Sequence, residues 1–194
     1  MATPRFNQNI IEASRRVQDP RTVASEADTP NHTYTAQMWQ DWENLVLRQF
    51  VIEKSDATGA AFQHLFPELI KSSNSLAIAS GMVQTPPDAF RVLQVLKDDL
   101  SRIFDRGTPE ELAALQTGRE IVFDGEGRFF QEGTNILLFP ANLTGGVIAK
   151  YILTHTDIVI DGADDILLNS QYDGEIIERM VKIALADSAR NANA

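Results

Sequence analysis

"GMVQTPPDAFRVLQVLKDD", residues 81–99, places two prolines and an aspartate directly ahead of an apolar run rich in β-branched and aromatic side chains. Pro86, Pro87 and Asp88 read as a turn, because proline presets the backbone angle of a turn position and a short acidic side chain bonds its own backbone. Phe90 to Leu96 then reads as a strand. The segment holds no nucleophile, metal ligand or phosphate loop, so its turn chemistry serves shape: it aims the strand across a helical bundle. "SLAIASGMVQ", 75–84, is a preceding strand with Gly81 at a bulge or bend.

The bundle is read from both ends of the chain. Residues 4–18 are an expected helix, with Thr3 as cap, Pro4 at the first position and Phe6, Ile10, Ala13 and Val17 on one stripe. "DP" at 19–20 stops it, and 21–35 is a polar loop. Thr35 caps a second helix of about 18 residues with Met38, Trp39, Trp42, Leu45, Val46 and Phe50 on its apolar face. A shorter helical piece from Gly59 breaks or restarts at Pro67. In "GTPEELAALQTG", Thr108 caps, Pro109 starts, Glu110 and Glu111 meet the positive helix end, and Gly118 closes.

From 119 to 155 the period becomes two. "REIVF", "RFFQ", "NILLF" and "VIAKYIL" are strand candidates separated by glycine-bearing turns, expected as a small antiparallel meander. "THTDIVIDGADD" bridges to a last helix from about Gln171 to Arg190, with Tyr172, Ile176, Ile177, Met180, Val181, Ala184 and Leu185 on its stripe and "NANA" as a tail. The expected fold is therefore α+β: a helical bundle with a small β-meander insert. It is organised as 1–75 helical, 76–155 β-rich with one short helix, and 156–194 helix and tail, together one domain.

Composition narrows the functions. With 194 residues and 43% hydrophobic composition the chain can bury a core of ordinary size. The absence of cysteine excludes disulfides, thiolate metal sites and cysteine nucleophiles. No long apolar run or leader pattern is present, so synthesis in a cytoplasm and no membrane partner are expected. A net charge of −10 argues against a surface built to hold nucleic acid. Arg5, Arg15, Arg16 and Arg21 make the start locally basic, read as a solvated helix face.

Candidate chemistry is sparse. His32, His64 and His155 lie far apart without companion motifs. Asp157, Asp161, Asp164 and Asp165 lack calcium-loop spacing and read as a solvated turn. "TGGVIAK" fails as a phosphate loop, no nucleophile elbow occurs, and Trp39 and Trp42 read as core. No catalytic, cofactor or metal residue is assigned. Phe129 and Phe130 are adjacent on a strand and face opposite sides, so one of them calls for cover from a neighbouring subunit. They join Arg190, Asn191 and Asn193 of the tail as interface candidates.

"RRVQDP" at 15–20, "YTAQMWQDWENLVLRQF" at 34–50, "GMVQTPPDAFRVLQV", "ILLFP", "AKYIL" and "NSQYDGEIIERMVKIALAD" occur in an order that resembles the head-to-tail adaptor (connector) proteins of tailed bacteriophages. The resemblance covers about residues 10–190, leaving "FQHLFPELI" without a counterpart. It implies a virion protein at the head–tail neck. It further implies a homo-oligomeric ring, usually of twelve copies, that binds a portal above and a tail or next neck protein below, with genomic DNA passing through the lumen unbound. Other neck proteins, such as a stopper, tail terminator or minor ring, and more distantly a small cytoplasmic enzyme or ligand-binding domain, are the alternatives.

Overall fold

In the computed structural model, residues 3–19, 21–29, 32–118 and 127–191 are described. They divide into two compact units: residues 1–68 with 155–194, and residues 69–154. No helix among the described residues is long and apolar enough to cross a membrane.

The first unit is helical. α1 (Arg5–Arg16) buries Phe6, Ile10 and Ala13, the stripe that the 3.6-residue period predicts. α2 (Ala36–Thr58) is longer than expected, starts where the Thr35 side chain accepts from the Met38 N–H, and ends at Gly59 with φ of 51°. A 3₁₀ turn at Gly59–Ala61, the single-turn α3 (Phe62–Leu65) and a second 3₁₀ turn at Pro67–Leu69 form the interrupted piece anticipated around Pro67. A 3₁₀ turn at Ser170–Tyr172 leads into α5 (Asp173–Asn191), which buries Ile176, Ile177, Met180 and Ala184. Leu185, placed on that stripe by sequence, is exposed.

The second unit corrects the expected fold class. The described residues form five helices and an eight-stranded mixed sheet curled into a half-barrel, where a helical bundle with a small meander was expected. The strands are β1 (Ile70–Ser72), β2 (Leu76–Ala77), β3 (Met82–Gln84), β4 (Ala89–Lys97), β5 (Ile103–Arg106), β6 (Arg128–Glu132), β7 (Asn135–Phe139) and β8 (Gly146–Leu153). Their order is β1-β8-β4-β5-β6-β7-β3, with β2 also on β8. The run from Phe90 is thus no cross-brace on helices. β4 pairs along its length with β8 in a register from Ala89↔Leu153 to Lys97↔Val147, and its far end pairs with β5.

Two local features account for the curl and the mixed pairing. β4 shifts register against β8 between Ala89 and Arg91 and again between Val92 and Gln94, and such irregularities bend a strand and increase its twist. α4 (Pro109–Gln116) lies between β5 and β6, which pair in parallel at Asp105↔Arg128 and Arg106↔Phe129. A parallel pair needs a crossover connection, and a helix supplies one. α4 starts at the Thr108 cap read from sequence, and Glu111, expected only as a charge at the positive helix end, closes a capping box: Thr108 Oγ1 accepts from Glu111 N and Glu111 Oε2 accepts from Thr108 N.

"SLAIASGMVQ" is two strands. Ser80 and Gly81 both have positive φ, 52° and 74°, and Ala79 and Met82 exchange two backbone hydrogen bonds of 2.9 and 3.0 Å around them. This is a two-residue hairpin turn, which joins β2 on one side of the curled sheet to β3 on the other. Inside lie Val83, Val92, Val95, Phe104, Phe129, Ile136, Leu138, Val147, Ala149 and Tyr151. "RFFQ", "NILLF" and "VIAKYIL" are strands, although β8 leaves β7 to pair with β4, β1 and β2. "REIVF", 119–123, lies outside the described residues.

Candidate functional site

Asp88, at the turn that opens β4, is a polar junction of the sheet unit. One carboxylate oxygen accepts from Lys71 Nζ on β1 at 2.6 Å, and the other accepts from the Tyr151 hydroxyl on β8 at 2.8 Å. Its carbonyl accepts from the Thr154 N–H at 2.8 Å, while Ala89 N closes the turn onto the Pro86 carbonyl at 3.0 Å. One residue therefore ties β1, β4 and β8. The hydrogen bonds from Lys71 and Tyr151 hold the Asp88 carboxyl below its ordinary value, and desolvation followed by the Asp88 contact pushes the Tyr151 phenol up. The cluster has an acid, a base and a phenol, but each is already bonded to another and the carboxylate is stabilised in its charged form. That is a staple.

Replacing Asp88 by Asn is expected to move the Tyr151 phenol back toward 10, its ordinary value. The readout is the ultraviolet tyrosinate step that disappears in Tyr151→Phe; an unchanged step in Asp88→Asn would show that the phenol does not sense this carboxylate. Because the folded-state pKa of Asp88 is depressed, its contribution to stability is present above the unfolded value and is lost as pH falls through the folded one.

The interface candidates separate. Phe129 is 0% and Phe130 4% exposed within the single chain. Phe129 points into the half-barrel, and Phe130 packs edge-to-face on Phe139 at 5.7 Å and over Gly107, where a Cβ would lie 2.2 Å from its ring. The chain thus covers both phenylalanines itself, and the reason for assigning them to a subunit contact is gone. Arg190 and Asn191 are exposed at the end of α5, with Asn191 Nδ2 donating to Asp187 at 3.1 Å. Asn193 lies outside the described residues.

The acidic bridge is more than a solvated turn. Asp165 accepts from the Arg5 and Phe6 N–H groups at 2.9 and 3.0 Å and so caps α1, a role expected of Thr3. Asp161 accepts from Asn7 Nδ2 at 2.5 Å, and Asp157 pairs with Arg48 at 2.9 Å. Asn44 of α2 grips the same segment by its amide, donating to the Ile158 carbonyl and accepting from the Ile158 N–H, both at 2.8 Å. His155 Nε2 shares that amide oxygen at 3.0 Å, and burial pushes its pKa down. His32 faces Glu26 at 3.8 Å and His64 is exposed. No group of three metal-ligating side chains occurs among the described residues.

The basic start is likewise partitioned. Arg15 and Arg16 are exposed, whereas Arg5 bridges to Asp173 and the Leu168 carbonyl, and Arg21 is buried. Trp39 and Trp42 pack edge-on to each other and to Tyr34 with centroids 5.0–5.5 Å apart, as core aromatics do.

Sequence reading passed over the β4–β5 hairpin tip. Leu100 there is 70% exposed with φ of 59°, and Ile103, also exposed, borders an open cleft of about 450 Å³ lined by Arg102, Asp105 and Arg128. The signal was present in "KDDLSR", where an isolated leucine stands among turn residues. No protein-family model matches the chain, and no curated protein matches it.

Proposed function

We propose that the protein is a virion assembly component, a head-to-tail adaptor that seats as a ring beneath a portal and continues the DNA channel toward a tail. The observation that carries this reading is where the residues of the resemblance lie. Asp19, after α1, accepts from the Trp39 indole N–H at 3.1 Å and the Thr33 N–H at 2.6 Å. Asp88 ties three strands. Asp173, which follows Tyr172 into α5, receives the Arg5 guanidinium of α1. Each of the three aspartates fixes one element against another, which is what a protein that works by presenting a shape requires.

Charge is compatible with the same reading. Twelve copies at −10 each would surround the channel with on the order of a hundred negative charges, which repel a duplex and let it slide. Mixing the purified protein with portal rings and imaging the product tests the assignment: a symmetric annulus on one end of the portal is expected. Failure to bind, with the protein remaining solitary at every concentration, overturns it. A lumen lined by lysine and arginine would overturn the sliding-wall element.

A further inference from the structure

Glu43 is a buried carboxyl with too few partners. It lies on α2, is 0% exposed, and accepts one hydrogen bond, from Asn9 Nδ2 of α1 at 3.0 Å. Its second oxygen, Oε2, has no partner. The charged groups that face it are Asp173 on α5, Asp165 on the bridge that caps α1, and Arg5 at the start of α1. The one cation of the group is already committed, because Arg5 donates to Asp173 and to the Leu168 carbonyl. An ionised Glu43 would therefore be a buried charge with two acidic neighbours, no counter-ion of its own and a single neutral donor.

α1 is the element that can yield. Four of its polar ties to the rest of the helical unit run to carboxylates, Asp165 on its first N–H groups, Asp173 on Arg5, Asp161 on Asn7 and Glu43 on Asn9, beside the Arg5 bonds to backbone carbonyls. Asn9 also lines an open cleft of about 460 Å³ beside α1, with Gln8, Glu12, Arg15 and Asp173 among its walls.

We propose that α1 is a releasable helix and that the Asn9–Glu43 contact is its proton-dependent latch, closed while the carboxyl carries its proton and open once the proton is lost. Lifting α1 lets water reach Glu43, and the charged form then costs nothing extra. Desolvation, reinforced by Asp173 and Asp165 against the opposing Asn9 bond and Arg5, pushes the folded-state pKa well above 4.5. The sign follows. A carboxyl whose folded-state value is raised stabilises the closed form fully below the unfolded value and loses that contribution as pH rises toward the folded one. In that window each pH unit multiplies the open population of α1 by roughly ten.

Hydrogen exchange of the full chain, read by mass spectrometry from about pH 5.5 to about pH 8.5 and corrected for the chemical exchange rate, tests the latch. In the wild type, peptides from α1 are expected to lose protection by roughly tenfold per pH unit over part of that range, while those from α2 and α5 hold theirs. Glu43→Gln, which keeps the shape of the protonated carboxyl, is expected to flatten the slope, with an unchanged far-ultraviolet spectrum showing that the variant is folded. A wild-type slope of zero, the same slope in Glu43→Gln, or a parallel loss of protection in α2 and α5 would each overturn the proposal. None of these outcomes depends on portal binding, so the latch and the adaptor reading stand or fall separately.

Discussion

Arg21→Met is expected to lower the unfolding free energy by about 3–5 kcal/mol, the usual cost of breaking a buried ion pair by removing one partner. Arg21 is 1% exposed. Its Nη1 donates to the Glu26 carbonyl at 2.8 Å, and its Nη2 donates to Asp28 at 2.7 Å and to the Tyr34 carbonyl at 2.5 Å. Asp19, fully buried, stands 3.9 Å from its Nε. Methionine restores most of the volume, so the measured loss reports on charge and hydrogen bonds. What remains is Asp19 buried without a cation, two carbonyls without donors, and Asp28 holding only the Ala36 N–H at the start of α2. Urea denaturation followed by tryptophan fluorescence is the measurement, since Trp39 donates to Asp19 and reports on the same site. Asp19→Asn in the Arg21→Met background should recover part of the loss by removing the orphaned charge. A loss below about 1 kcal/mol would mean that the loop between α1 and α2 reorganises and hydrates its charges.

The same loop shows what was readable in the sequence and what was not. Thr35 and Thr108 were legible as caps because a cap is a bond between residues two or three apart, and both residues cap as expected. Gly118 was legible as a helix end for the same local reason, with φ of 66°, whereas Gly59, read as the start of the next helical piece, closes α2 with φ of 51°. The α1 cap was not legible: Asp165 reaches the Arg5 N–H across 160 residues, and nothing in the spacing of either segment announces the other. Arg21 read as part of a solvated face because a buried arginine differs from an exposed one only in the partners that come to it. The sheet failed for the same reason on a larger scale. Alternation identified β4, β6, β7 and β8 as strands, but the pairing of β4 with β8, whose partners lie at least 50 residues on, is a property of the folded chain. A run of hairpin signals between 124 and 146 favoured a meander, and the crossover role of α4 was the missing step.

The three aspartates of the adaptor resemblance occupy an intermediate position. Their turn character was visible, and their partners were not. Asp19, Asp88 and Asp173 each accept from a side chain at least 17 residues away in sequence, so a short motif carries only half of each interaction. The chain's acidity is therefore divided between solvent and structure. Several of its 27 acidic residues serve as caps, staples and latches.

Phe129→Ala is expected to cost about 3–5 kcal/mol, because it removes an aromatic side chain from a closed core and leaves a cavity that the surrounding strands fill only in part. The ring lies among Val92, Phe104, Leu138 and the other inward side chains of the half-barrel. Relaxation is restricted on two sides. Phe104 sits where a Cβ on Gly127 would come within 2.5 Å of it, and β6 is held in register with β7 from Arg128↔Phe139 to Glu132↔Asn135. The experiment also separates the two accounts of this residue. If the chain covers Phe129 by itself, the full loss appears in dilute protein and does not vary with concentration. If a neighbouring subunit provided the cover, dilute wild-type and variant protein would unfold alike, and the difference would emerge only as the concentration rises through the range of self-association. Calorimetric unfolding of both proteins over a hundredfold span of concentration decides between them, and the burial of Phe129 within one chain predicts the first outcome.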